Sequence, residues 1–149
     1  MSPIVVRIFF SILSLAYILA IFVLAGSSVA RNLSEFNPYS LLHIPLYGIM
    51  TLLLVLSLVP IPRGFNHRSI QPESDSTKPQ SRGTVGLRLR LFVAGAIAWF
   101  VGILDEIHQL SVPNRDASAG DVVLDMVGIT LALLLCFILL KTRSIKQTE

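Results

Sequence analysis

Four long apolar runs constrain this chain more than any other feature: Ile4–Ala25, Leu41–Ile61, Leu91–Leu110 and Val122–Leu140. A helix needs about 20 apolar residues to cross a bilayer. It must also satisfy its backbone within the segment, because lipid offers no hydrogen-bond partner. The third run reaches that length only with its polar end, since its purely apolar part is Leu91–Leu104. Helices of a soluble protein would carry charges on one face. The first, second and fourth runs have no such face. Charged residues are only 14% of the chain, against about 25% in soluble proteins, and they cluster between the runs. The expected fold is therefore all-α: one domain over residues 1–149, an integral membrane four-helix bundle.

Charge placement sets the expected orientation, because basic residues stay on the cytoplasmic side. With four spans, both termini and the second loop share one side. That side carries Arg7, Arg63, Arg68, Lys78, Arg82, Arg88, Arg90, Lys141, Arg143 and Lys146, whereas the other carries only Arg31 and Arg115. The N- and C-termini are thus expected to be cytoplasmic and the loop after the third run to face outward. The net charge of +3 is made of these flanking residues, so it does not signal nucleic-acid binding. The single cysteine, Cys136, excludes an intrachain disulfide and reads as an apolar residue facing lipid or a helix. Ser28-Val29-Ala30 has the small-x-small form of a signal-peptidase site. The run before it exceeds the usual apolar core of about 7–15 residues, which favours an uncleaved anchor.

The loop over about 62–88 is rich in Ser, Pro and Gln and lacks aromatics at its centre. It reads as a disordered cytoplasmic segment without chemistry. The third loop, Ser111 to Gly120, is short and makes the last two helices an antiparallel hairpin. Polar chemistry is concentrated around it. "DEIHQLSVPNRDASAGDVVLD", residues 105 to 125, holds five acidic residues, one His, one Gln and one Arg.

At 100° per residue, Asp105, His108 and Gln109 fall within about 100° of arc, and Glu106 widens it to about 160°. Ala94, Gly95, Ala98 and Gly102 continue that face, and small faces let helices approach closely in lipid. On the last helix, Asp121, Asp125, Gly128 and Ala132 form a matching stripe. His43 and Tyr47, one turn apart around Pro45, lie at the same depth on the second helix. Ionisable groups in membrane helices must pair, take up protons or bind a cation, and they mark functional sites. Blander roles stand beside this. Asp105, Arg115 and Asp121 can form a clasp, Asp116 or Ser118 can cap the last helix, and Tyr47 can be an interface anchor. Trp99, near mid-helix, reads as packing.

The order of these residues resembles the signature of the VanZ-like family: Asp105-Glu106, His108-Gln109, Pro113-x-Arg115, Asp121, then Asp125 and Gly128. The segment "HIPLYGIM", with His43 and Tyr47, is similar to the family's His–aromatic segment. The likeness spans about residues 40 to 140. It departs where "YSLL" stands in place of a charged pair with Lys before the His, and where Asp125 stands in place of the commoner Asn. The resemblance implies a multi-pass protein of the bacterial inner membrane, from a family named for a teicoplanin resistance factor.

Three functions follow as expectations. The first is a non-enzymatic envelope protein that binds a lipid-linked precursor or a glycopeptide through His43, Tyr47, Asp105, Glu106, His108, Gln109, Arg115, Asp121 and Asp125, with membrane lipids as its surroundings. The second is an enzyme on a lipid-linked phosphate, with Asp105, Glu106 and His108 as candidate acid–base groups or with carboxylates holding Mg²⁺. The third is a structural accessory of a membrane assembly. No HExxH and no paired Cys is present, so no metal or cofactor is expected from spacing.

Overall fold

The computed structural model describes residues 2–27, 41–59, 81–113 and 118–145. These residues form four helices: α1 (Pro3–Ala25), α2 (His43–Leu58), α3 (Ser81–Gln109) and α4 (Ala119–Ile145). The chain is an all-helical bundle. Ser28–Ala30, Arg115, Asp116, residues 60–80 and the last four residues lie outside the described residues.

Three helices contain segments long and apolar enough to cross a membrane: Ile4–Ala25, Gly86–Gln109 and Ala119–Thr142. Their outward faces are greasy, with Val23 73% and Phe92 72% exposed. Apolar surface on this scale marks a face that meets lipid or another protein, and these helices have the length and composition of membrane spans. This is a membrane-spanning protein.

The helix bounds differ instructively from those expected. α3 begins at Ser81, ten residues before the apolar run, so the end of the expected disordered loop is helical. A helix satisfies its own backbone in water as well as in lipid, so hydropathy does not mark where it starts. α4 likewise extends past both ends of its run. α2 is shorter than its run. Its 16 residues rise about 24 Å, less than the roughly 30 Å of hydrocarbon. α2 is the central helix and packs against each of the other three, whereas α1 and α4 make no close contact among the described residues. A helix held by three neighbours need not match the bilayer by itself.

Polar groups close the ends of these helices. Ser2 Oγ accepts the Val5 amide at 3.3 Å, with Pro3 opening α1, where a missing N–H costs nothing. At the end of α2, Arg7 Nε donates to the Ser57 carbonyl at 3.1 Å and Arg90 Nη1 to the Leu58 carbonyl at 2.7 Å. Both cations meet the negative end of the helix dipole. The second turn of α1 and the third turn of α3 therefore lie within side-chain reach of the end of α2. Within the helices, Ser14, Thr51 and Ser57 hydroxyls donate to backbone carbonyls three or four residues back, which satisfies their hydroxyls where they are buried.

The small residues do what their face predicts. Ala94, Gly95, Ala98 and Gly102 are buried. α2 and α4 cross through glycine. A Cβ on Gly128 would overlap the Ile44 carbonyl oxygen and lie 3.0 Å from Ile44 Cα, and one on Gly48 would lie 3.5 Å from the Gly128 oxygen. Trp99 differs from expectation. It is 48% exposed on the outer surface, because it projects away from the small face that packs inward. Cys136 is half-buried against the core.

Candidate functional site

The close α2–α4 crossing places the first turn of α2 beside the first two turns of α4. His43 is the first residue of α2, and Pro45 is tolerated two residues later because first-turn N–H groups have no partner within the helix. From α4, Asp121 and Asp125 approach the same imidazole from two sides. His43 Nδ1 lies 2.8 Å from Asp125 Oδ1, and Nε2 lies 3.9 Å from Asp121 Oδ2. An ionised carboxylate only accepts, so with Asp125 ionised Nδ1 is the donor of the short bond. The longer separation exceeds a hydrogen bond. Nε2 thus faces Asp121 without a hydrogen bond to it.

α3 supplies the remaining groups. Asp105, Glu106 and Gln109 are all buried. Gln109 Nε2 donates to Asp105 Oδ2 at 2.9 Å, one turn away. Glu106 Oε2 accepts the Ser118 amide at 2.8 Å. Ser118 in turn caps α4, its Oγ accepting the Gly120 amide at 3.1 Å. The expectation that Ser118 or Asp116 caps this helix is met by Ser118. The described clasp between α3 and α4 is Glu106 on that cap, and Arg115 lies outside the described residues.

Gly102 gives the site its depth. A Cβ there would stand 3.0 Å from Asp125 Oδ2 and 3.4 Å from Tyr47 Cε1. Tyr47 is fully buried and its ring is stacked parallel to His43, centroids 6.1 Å apart. Complete burial overturns the interface-anchor role, because an anchor needs its hydroxyl in the headgroup region.

His108 departs from the expected grouping. It is half-buried and lies edge-on to Phe22 of α1, ring centroids 5.7 Å apart. On the helix it sits about 160° from Glu106, so the two edges of the polar arc serve different neighbours. Glu106 turns to α4 and His108 to α1.

Two carboxylate oxygens are left over. Glu106 Oε1 and Asp125 Oδ2 are buried and accept no hydrogen bond among the described residues. The ion pairs of Asp121 and Asp125 among those residues are with His43 alone. One ligand atom from each of His43, Glu106 and Asp121 falls within 4.8 Å of the others. Residue spacing carries no signal for this set, since its members come from three helices.

No model of a protein family matches the chain, and no curated protein or solved structure is found similar to it. The likeness to the VanZ-like family stands on the quoted residues.

Proposed function

We propose that the chain is a VanZ-like protein of the bacterial inner membrane, with the site on the outer side. It engages the polar head of a lipid-linked envelope precursor and thereby alters sensitivity to teicoplanin-type glycopeptides. The observation that carries this reading is the pair of buried oxygens on Glu106 and Asp125, beside His43, that accept no hydrogen bond among the described residues. Such acceptors favour donors: hydroxyl, amide and amino groups of a sugar–peptide head rather than bare phosphate. The apolar helix faces beside the site suit a lipid tail. Ten basic residues assigned by charge to the opposite side support the outward orientation.

The test is an alanine scan of His43, Tyr47, Asp105, Glu106, His108, Gln109, Arg115, Asp121 and Asp125. Membrane abundance and glycopeptide susceptibility are scored together. Variants present at full level but without effect on susceptibility support a binding site. Loss of function only in proportion to abundance leaves a structural clasp and removes this reading.

One observation favours an enzymatic second reading. The Asp125–His43 pair is the arrangement that orients an imidazole as a general base. In that case a lipid-linked phosphate is turned over by purified protein, and His43→Gln abolishes turnover. No turnover across envelope lipids sinks it.

A further inference from the structure

The site is built almost wholly of acceptors, and they converge from three helices. His43 comes from α2, Glu106 from α3, and Asp121 from α4, with a ligand atom of each within 4.8 Å of the others. Glu106 is 7% exposed, and its Oε1 accepts no hydrogen bond among the described residues. Behind His43, Asp125 is 2% exposed and holds Nδ1 at 2.8 Å.

That last contact separates this cluster from a mere group of acids. Imidazoles that bind metals hand their other ring N–H to a carboxylate, a backbone carbonyl or a water, which fixes the tautomer, orients the ring and raises ligand basicity. Here Asp125 stands in that position, and Nε2 faces Asp121 at 3.9 Å. The small residue Gly102 leaves room for Asp125 to stand there.

We propose that His43, Glu106 and Asp121 bind one divalent cation, with Asp125 as the positioning carboxylate behind the imidazole. The ligand chemistry selects its class. One imidazole nitrogen with two carboxylate oxygens suits a first-row ion such as Zn²⁺ or Mn²⁺, whereas Mg²⁺ and Ca²⁺ prefer all-oxygen sets. Ligation at about 2.0–2.2 Å requires the three atoms to close in by a modest side-chain rotation. Three protein ligands leave coordination positions for water or a ligand group. The cation also answers part of the charge problem: its two charges offset those of Glu106 and Asp121, while Asp125 faces Nδ1 of the imidazole. Glu106 keeps Oε2 on the Ser118 amide, so its other oxygen can turn to the ion without freeing the α4 cap.

This inference goes beyond the proposed function, because the ion is held whether or not a lipid precursor binds. The experiment uses the full chain, purified in detergent, stripped of metal and titrated separately with Zn²⁺, Mn²⁺, Mg²⁺ and Ca²⁺ by calorimetry. The wild type is expected to take up one Zn²⁺ or Mn²⁺ per chain. Glu106→Gln keeps an acceptor for Ser118, and Asp121→Asn keeps side-chain size. Each should weaken binding at least 10-fold. Asp125→Asn should weaken it about 10- to 100-fold, as losing a partner behind a ligand does. His67→Ala, in the second loop, should leave it unchanged and so excludes adventitious imidazole binding. No stoichiometric uptake by the wild type overturns the site without need of any variant, as does equal binding by Glu106→Gln and Asp121→Asn. Preference for Mg²⁺ or Ca²⁺ overturns the assigned class. Metal uptake with no effect of the same substitutions on glycopeptide susceptibility upholds the site and removes the proposed function instead.

Discussion

His43 and Asp125, 82 residues apart in sequence, share a buried bond of 2.8 Å between Nδ1 and Oδ1. It ties the first turn of α2 to the second turn of α4. In soluble cores, breaking such a pair costs about 3–5 kcal/mol. Between membrane helices, side-chain hydrogen-bond couplings average about 0.6 kcal/mol and reach about 1.7, because the unfolded chain in lipid also finds partners. The membrane value governs here. A double-mutant cycle of His43→Gln and Asp125→Asn, read by unfolding in mixed micelles, should give a coupling of about 0.6–1.7 kcal/mol. Additive effects would mean that the two side chains do not stabilise each other.

The crossing that creates this pair rests on Gly128. A methyl group there meets the Ile44 backbone, which has no rotamer to give. Gly128→Ala should push α2 from α4 and destabilise the bundle by about 1–3 kcal/mol, with reduced abundance in the membrane. Gly48→Ala meets only ordinary van der Waals contact and should be accepted. The contrast between the two, measured by unfolding of the purified variants, tests the register of the crossing. Equal effects would refute it.

Much of this architecture is legible in the sequence, and the failures have physical causes. The apolar runs give four helices, and the small stripes give the inward faces of α3 and α4, since both follow from local periodicity. Helix ends do not follow from hydropathy. The polar segment "SRGTVGLRLR" opens α3, and Arg90 reaches the end of α2 from it. The role of Arg7 and Arg90 on α2 carbonyls is missed because charge counting treats them only as flank residues. The polar arc of α3 is legible too, but a projection cannot say which neighbour lies on which edge. Glu106 and His108 therefore read as one group, yet they face α4 and α1. His43 and Asp125 share a depth that the sequence suggests, while their contact depends on how closely two glycines let helices approach.

Glu106 separates a clasp from a binding site more cleanly than any other position. One oxygen holds the Ser118 amide at 2.8 Å, a helix-capping contact worth about 0.5–2 kcal/mol. Glu106→Ala should lower both stability and abundance. Glu106→Gln retains a carbonyl acceptor for the amide and removes the charge. It should be present at close to the wild-type level in the membrane while losing the effect on glycopeptide susceptibility. Immunoblots of membranes beside susceptibility measurements decide this. A fully functional Glu106→Gln would assign the residue to the clasp alone.

Orientation is the last matter open to direct test, and Cys136 makes it tractable because it is the sole cysteine. On a Cys136→Ala background, Ser111→Cys places a thiol at the exposed turn after α3, beside the acid site. Thr142→Cys places one on the exposed last turns of α4 at the opposite end. The charge distribution predicts that the first end faces outward. A membrane-impermeant maleimide added to intact cells, with the outer barrier permeabilised, should label Ser111→Cys and spare Thr142→Cys until the inner membrane is opened. The reverse pattern would put the acid site on the cytoplasmic face. A head group of an outer-leaflet precursor could then not reach it, and the proposed function would fail while the cation site, which depends only on the convergence of His43, Glu106 and Asp121, would remain.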